Sequence, residues 1–163
     1  MTMKSDIRKL SKKDIKKVAA IASKNFSGLK DIKKAHLWIR CNFLSFPRMQ
    51  YYVAELKKEV VGYILWSEKG GFRENAVFEL EQIAVAEKFR NRGIGKALIS
   101  KSLSGIKKYL NKRKSKLKII EVTTRKENPI AIKFYKKNLG AKAECTIKDF
   151  LRGDEVVMIA RKN

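Results

Sequence analysis

Residues 82–99, QIAVAEKFRNRGIGKALI, place a strand-like run directly before a glycine-rich turn and an apolar helical pattern. The turn carries two arginines and two glycines in the spacing R-x-x-G-x-G, from Arg90 to Gly95. The first turn of a helix has unpaired backbone N–H groups and the positive end of the helix dipole, which suit a phosphate group. Glycine permits close backbone approach, and arginine supplies charge for phosphate oxygens. We therefore expect residues 90–96 to form a pyrophosphate-binding loop.

Three other interpretations of residues 82–99 are less well supported than a pyrophosphate-binding loop. A plain turn between a strand and a helix also favours glycine, so the glycines alone carry little weight. The G-x-x-x-x-G-K-[ST] spacing of a Walker loop is missing. The G-x-G-x-x-G dinucleotide fingerprint belongs after the first strand of a repeating βαβ unit, and the spacing here differs from it.

Length and composition favour a single globular domain over residues 1–163, because hydrophobic residues make up 44% of the chain. No run of about 18 apolar residues occurs, and the N-terminus is charged, so we expect a cytoplasmic protein without a membrane span or secretory signal. Cys41 and Cys145 favour reduced thiols over a disulfide framework. Two cysteines and one histidine are too few for a common four-ligand zinc site, and no metal is expected.

The formal net charge of +23 favours anionic partners, among them nucleic acid, the ribosome surface or a polyanionic cofactor. Most of the lysines are scattered along the chain, which is more typical of a solvated surface than of a binding patch. YLNKRKSKLK, residues 109–118, is dense enough to keep a nucleic-acid-binding protein open as an alternative.

Hydrophobic periodicity predicts the element order β-α-α-β-β-β-α-β-α-β-β. The second helix is predicted from apolar residues at helical spacing, which are Ile32, Ala35, Trp38, Ile39 and Phe43. Strand-helix-strand units in the centre imply parallel pairing there, and hairpins at both flanks imply antiparallel pairing. The expected fold class is α/β (α+β), with a central mixed sheet of about seven strands.

Two motifs resemble those of the GNAT superfamily of acetyl-CoA-dependent N-acetyltransferases. The Q/R-x-x-G-x-G/A signature matches at Arg90, Gly93 and Gly95. The second block, N-x-x-A-x-x-F-Y-x-x-x-G-F, matches at Asn128, Ala131, Phe134, Tyr135 and Gly140, with Ala141 in place of the usual aromatic residue. The resemblance covers roughly residues 50 to 160 and is closest to the N-terminal protein (ribosomal-protein alanine) acetyltransferases. It implies a GNAT fold with helices on both faces of the sheet and splayed parallel strands at the acetyl-CoA site.

The resemblance also implies which residues hold acetyl-CoA. Backbone groups of Ile83, Ala84 and Val85 would bind the thioester and the pantetheine arm, beside a β-bulge that frees them. The pyrophosphate would be bound by Arg90, Asn91, Arg92, Gly93, Ile94, Gly95 and Lys96. The second block adds Asn128, Ala131, Phe134 and Tyr135 to the cofactor site. Asn128 is in addition the expected N-cap of the last helix.

For the chemistry, the resemblance makes Tyr135 the general acid that returns a proton to the CoA thiolate. Glu121 is the first choice as base, because a carboxylate in a central parallel strand needs a partner or a purpose. The structural alternative is an ion pair between Glu121 and a neighbouring lysine or arginine, for example Arg125. Glu79 and Glu81 share one face of the fourth strand and are rival bases.

The implied reaction is direct attack of a primary amine on the acetyl thioester, with the N-terminal amine of a protein as the expected acceptor. A small-molecule amine (a polyamine, amino acid or antibiotic) is the alternative acceptor. A non-catalytic acyl-CoA-binding module is an alternative to the enzyme. The sequence leaves open whether the protein is a monomer or a homodimer, and whether nucleic acid or the ribosome surface is a partner.

Overall fold

The computed structural model describes residues 5–162, and their secondary structure follows the predicted order. The strands are β1 (Asp6–Lys9), β2 (Met49–Leu56), β3 (Glu59–Lys69), β4 (Asn75–Val85), β5 (Lys116–Arg125), β6 (Lys142–Ile147) and β7 (Glu155–Arg161). The helices are α1 (Ile15–Asn25), α2 (Ile32–Leu44), α3 (Ile94–Lys112) and α4 (Pro129–Leu139). The strands hydrogen-bond in the order β1-β2-β3-β4-β5-β7-β6, with β4 and β5 parallel. The predicted mixed sheet of seven strands is confirmed.

The described residues form two compact units. The first contains the chain up to Trp66 together with Gln82–Leu103, and so includes β1, β2, α1, α2, most of β3, the end of β4 and the first half of α3. The second contains Ser67–Glu81 and residues 104–162, and so includes most of β4, the second half of α3, β5, α4, β6 and β7. Among residues 5–162, no helix combines the length and the apolar composition that a membrane crossing requires.

In the first unit, α1 and α2 bury one stripe each. The α1 stripe follows the helical period and comprises Ile15, Val18, Ala19, Ile21 and Ala22. From α2, only Ala35 and Ile39 are buried. Trp38 and Ile32, which belong to the apolar pattern that predicts this helix, are exposed by 45% and 48%. The buried residues Ala35 and Ile39 form one i, i+4 row, whereas residues 32 and 38 lie on the neighbouring rows and turn outward.

A cluster of charges joins β1 to β2 and to the start of α1. The Arg8 guanidinium donates to Asp14 at 2.7 Å and to Glu55 at 2.6 Å. Asp14 also accepts from the backbone N–H and the hydroxyl of Ser11, in a capping box. Burial by itself raises the pKa of Asp14, but the hydrogen bonds from Arg8 and Ser11 outweigh it and lower the pKa to about 2.

We predict that this carboxylate makes the protein sensitive to acid. Because the folded-state pKa of Asp14 is depressed, its contribution is present above the unfolded-state value near 4 and is lost as the pH falls toward about 2. The contribution at neutral pH corresponds to roughly 2 kcal/mol. An Asp14→Asn variant should therefore be less stable at pH 7 and show a flatter fall in urea midpoint between pH 4 and pH 2. Asp6→Asn, at an exposed carboxylate on β1, is the control. Equal acid sensitivity of Asp14→Asn and the unmodified chain would contradict the prediction.

In the second unit, β5 is paired on both sides. It is antiparallel to β7 from Ile119 to Arg125, and β7 in turn pairs with β6. Its parallel register with β4 runs from the Asn75–Lys116 pair to the Glu79–Glu121 pair and shifts between Ala76 and Val77. The shift passes over Lys118, which is therefore the extra residue of a bulge in β5. The bulge expected at residues 83–85 stays a prediction.

The basic segment 109–118 is partly structural. Arg113 donates to both carboxylate oxygens of Glu68, whose side chain is almost fully buried, and its guanidinium lies near the rings of Phe72 and Tyr109. This arginine fixes the end of α3 to β3 and to the β3–β4 connection within the second unit. The four lysines of the segment are exposed, at positions 112, 114, 116 and 118. Arg113 is therefore held in structural contacts, whereas those lysines are exposed to solvent.

Candidate active site

The glycine-rich loop lies where the sequence placed it, between the end of β4 and the start of α3, in the first unit. Asn91 and Gly93 have left-handed backbone conformations, with φ of 60° and 78°. The Ala97 N–H donates to the Gly93 carbonyl at 3.0 Å, as an early intrahelical bond of α3. The N–H groups of the helical residues before Ala97, from Ile94 on, therefore lie in the turn of the helix that suits an anion.

The backbone conformation at residue 93 favours glycine, whereas the space around it would admit a side chain. A Cβ at this position would meet no atom within 4 Å, yet a φ of 78° is strained for any residue with a side chain. Residues 90–93 are all exposed, while Ile94 is buried and fixes the first turn of α3 to the core. The helix is held further along by Ser102, whose hydroxyl accepts from the Trp66 indole at 2.8 Å.

The two arginines of the loop already have contacts in this structure. The Arg90 guanidinium donates to the Val85 carbonyl at 3.2 Å and to the Asn25 side chain at 2.8 Å. The Arg92 guanidinium lies 5.7 Å from the centre of the Phe89 ring. Arg90 thus ties the loop to the end of β4 and to the end of α1, and the phosphate contact of both arginines stays a prediction.

The end of β4, which carries Ile83, Ala84 and Val85, is packed tightly against β3. A Cβ added at Gly62 would lie 2.9 Å from the Ala84 carbonyl oxygen and 3.3 Å from a Val85 methyl group. The Ala86 N–H donates to the Val61 carbonyl at 2.8 Å at the same place. The position of the backbone of residues 83–85 therefore depends on a residue without a side chain at 62.

Gly62→Ala should consequently disturb both the fold and the candidate cofactor strand. Because the obstructing atom belongs to the backbone, β3 and β4 must move apart, at a cost of about 1–3 kcal/mol. We expect a lower thermal midpoint and weaker acetyl-CoA binding in calorimetry. Gly28→Ala is the matched control, since a Cβ there meets nothing within 4 Å. Unchanged acetyl-CoA binding by Gly62→Ala would show that residues 83–85 do not hold the cofactor.

In the second unit, the structure brings together two of the three candidate bases. Glu79 and Glu121 are direct register partners on β4 and β5, so their side chains lie on one face of the sheet. The Lys69 ammonium, at the end of β3, lies 2.8 Å from a Glu79 carboxylate oxygen and 4.0 Å from a Glu121 oxygen. Glu81 is close enough to contribute to the pKa of Lys69. Within residues 5–162, the ion pair recorded for Glu121 is with a lysine, Lys69, and not with Arg125, the example that the sequence suggested.

The face that carries these carboxylates is half-exposed, whereas the opposite face of the same strands is buried. Along β4, residues 77, 79 and 81 are half-buried, and along β5 residues 119, 121 and 123 are half-buried. On the other face, Phe78, Leu80, Ile120 and Val122 are buried. Glu121 therefore does not lie in a strand that is apolar on both faces, and its side chain is on the more solvent-exposed face of the sheet.

Tyr135 lies on α4 in the second unit and is 9% exposed. Burial raises its pKa to about 12, against an opposing effect from the positive charge of Arg152. Phe134 packs edge-on against it at 5.6 Å between ring centres and is less buried. Tyr135 is therefore the more deeply buried ring of the pair. The tyrosine therefore remains protonated throughout the neutral range.

Asn128 is the N-cap of α4, as predicted. Its side-chain oxygen accepts from the Ala131 N–H at 3.1 Å, Pro129 follows at the first helical position, and Gly140 ends the helix with a φ of 72°. The cap explains why this sequence begins a helix here. A contact of Asn128, Ala131 or Phe134 with the cofactor stays a prediction.

Three residues near the candidate groups escaped the sequence reasoning. Lys69 contacts Glu79, Asn25 accepts from Arg90, and Arg152 acts electrostatically on Tyr135. Lysine and arginine are so frequent in this chain that a particular one carries no signal, since 39 of the 163 residues are of these two types.

Comparisons with known proteins identify the family to which the chain belongs. The profile of the acetyltransferase (GNAT) family matches residues 15–141. An uncharacterized N-acetyltransferase of Methanocaldococcus jannaschii is 32% identical over 154 residues, or 90% of this chain and 64% of that protein, so the chain spans less than two thirds of this relative. An N-alpha-acetyltransferase of Sulfurisphaera tokodaii is 31% identical over 118 residues, or 68% of this chain and 67% of that protein.

Solved structures show the same fold. Ard1 from Thermoplasma volcanium superposes with a TM-score of 0.79 at 23% sequence identity, over 98% of this chain and 98% of that one. The family profile covers both the R-x-x-G-x-G loop and the segment from Asn128 to Tyr135, which carry the two matched motifs. The chain belongs to the acetyltransferase (GNAT) family.

Proposed function

We propose that this protein transfers an acetyl group from acetyl-CoA to a primary amine, and that the amine is the free N-terminus of a protein. The observation that carries the proposal is the loop before α3, where the left-handed Gly93 exposes the first turn of a 19-residue helix next to Arg90 and Arg92. A pyrophosphate is the anion that such a turn, with two adjacent arginines, suits best in a GNAT protein.

In this proposal, the first unit holds the cofactor. The N–H groups in the first turn of α3, from Ile94 to Lys96, bind the pyrophosphate, and the arginines of the loop neutralise its charge. Backbone groups of residues 83–85 align the acetyl thioester. Acetyl-CoA supplies the activated acetyl group, and the chain's own residues handle the protons.

The step is a direct acyl transfer. The amine nitrogen attacks the thioester carbonyl carbon, a C–N bond forms, and the C–S bond then breaks with its electron pair left on sulfur. The amine loses one proton to a carboxylate, through water or directly. The departing thiolate gains one proton from the Tyr135 hydroxyl. The products are an N-acetyl amine and the free CoA thiol, so no covalent enzyme intermediate and no further reactant is needed.

Glu121 is the base that we favour among the three glutamates. Glu79 is in a direct ion pair with Lys69, whereas Glu121 is at the outer limit of contact with the same ammonium. A carboxylate that is less engaged is the better proton acceptor. Tyr135, which stays neutral with a pKa of about 12, is the proton donor.

The net charge of +23 repels a small polycation such as a polyamine over the surface as a whole, whereas the carboxylates Glu79, Glu81 and Glu121 would attract one locally. The protein N-terminus is favoured as acceptor because the relative from Sulfurisphaera tokodaii is named an N-alpha-acetyltransferase. The same positive field would keep the protein near polyanions such as ribosomal RNA.

A thiol-release assay with acetyl-CoA and a panel of amines tests the proposal. The panel contains a peptide with a free N-terminus, the same peptide with a blocked N-terminus and one lysine, spermidine, an aminoglycoside and free amino acids. We expect release with the free N-terminus and little with the blocked peptide. Release with spermidine alone would show that the acceptor is a polyamine and not a protein N-terminus. Binding of acetyl-CoA in calorimetry without release from any amine would favour the non-catalytic acyl-CoA-binding module.

A further inference from the structure

Lys69 stands in the centre of the carboxylate cluster although it matches neither family motif. It is the last residue of β3, and its ammonium makes the 2.8 Å contact with Glu79 and the 4.0 Å contact with Glu121 described above. The Lys69 side chain is 42% exposed, and those of Glu79 and Glu121 are 22% and 27% exposed. The lysine therefore contacts both carboxylates at the border between the sheet and solvent.

The other charges on this face are arranged around that contact. Glu79, Glu121, Ile159 and Lys142 are successive register partners across β4, β5, β7 and β6, so their side chains share one face. Lys142 lies two strands beyond Glu121, and the apolar Ile159 separates them. Arg161, two residues along β7, is paired with Glu144 on β6. Glu81 follows Glu79 on the same face of β4.

Three carboxylates gathered on one face repel one another, and a cation among them relieves that repulsion. The ion pair with Glu79 raises the pKa of Lys69, against burial, with smaller contributions from the charges of Glu121 and Glu81. The ammonium consequently stays charged in the neutral range and holds the Glu79 carboxylate.

We propose that Lys69 is a positioning residue of the transfer reaction: it holds Glu79 in the ion pair and thereby leaves Glu121 to accept the amine proton. The inference rests on the proposed function, since it assigns a role within that reaction. It implies that Lys69 acts through the two carboxylates and does not contact the reacting atoms itself.

The test compares the steady-state kinetics of Lys69→Met with those of the unmodified chain, with the peptide amine found active in the panel. The comparison covers kcat and both KM values. Without the ammonium, Glu79 loses its ion-pair partner and competes with Glu121 for the amine proton, so kcat should fall by about tenfold while the KM for acetyl-CoA changes little. Lys69→Arg should restore kcat, because it returns the charge to the same place.

Lys17→Met is the matched control, because Lys17 forms an ion pair with Glu59 at the same distance of 2.8 Å in the first unit. It should leave kcat unchanged. An unchanged kcat in Lys69→Met, or a loss that Lys69→Arg does not restore, would overturn the inference alone. Absence of acetyl transfer by the unmodified chain would overturn the proposed function and the inference together, so the two failures are distinguishable.

Discussion

Tyr135→Phe should lower kcat by about a hundredfold or more while acetyl-CoA binds with unchanged affinity. The phenol is buried and its pKa is raised to about 12, so the hydroxyl remains a proton donor at every pH at which the assay is run. A CoA thiolate needs a hydrogen bond or a proton as the C–S bond breaks, and phenylalanine supplies neither. The ring itself is kept, and the packing against Phe134 with it.

Tyr52→Phe is the control for this prediction. Tyr52 is also buried, and within residues 5–162 its hydroxyl has no hydrogen-bond partner, so the same atom is removed from a similar environment without loss of a contact. We expect full activity from this variant. Equal activity of Tyr135→Phe and the unmodified chain, with a peptide amine as acceptor, would show that the general acid lies elsewhere.

The second large effect is expected at Glu121. Glu121→Gln keeps the size and the polarity of the side chain but cannot take the amine proton, so kcat/KM should fall by about a hundredfold near neutral pH. Glu79→Gln should cost less than about tenfold, because Glu79 is the carboxylate held by Lys69. The measurement is steady-state thiol release across pH for both variants, and the deficit of Glu121→Gln should shrink at high pH, where the amine is already neutral.

Glu59→Gln controls for the loss of a carboxylate from an ion pair, since Glu59 pairs with Lys17 in the first unit. It should behave like the unmodified chain. A larger deficit in Glu79→Gln than in Glu121→Gln would exchange the roles of the two glutamates. Equal and small deficits in both would point to Glu81 or to an amine that loses its proton to solvent.

Much of this fold was predictable because its signals are local. Strand and helix periods depend on neighbouring residues, and so do caps: Asn128, Pro129 and Gly140 mark the ends of α4 in the sequence and in the structure. The R-x-x-G-x-G loop is local as well, and Gly93 lies where only the backbone freedom of glycine fits easily. For these elements, the chain needs no distant contact to specify its conformation.

Features that depend on distant contacts were not predictable. Trp38 belongs to the apolar pattern that predicts α2, but which of those positions turn inward is decided by the surface that the helix packs against. For the ion partner of Glu121, the sequence suggested a neighbouring lysine or arginine such as Arg125, whereas Lys69 is more than fifty residues distant in sequence. The relative burial of Tyr135 and Phe134 follows from tertiary packing in the same way.

One measurement tests the central claim most directly: incubation of the protein and acetyl-CoA with a single peptide that carries both a free N-terminal amine and an internal lysine, followed by tandem mass spectrometry to locate the acetyl group. Both amines compete in one tube at one concentration, so differences in peptide binding cancel. We predict that the acetyl group is found on the N-terminal nitrogen and that the label depends on Tyr135 and Glu121. Acetylation of the lysine instead, or of neither amine while spermidine in the same mixture is acetylated, would contradict the claim.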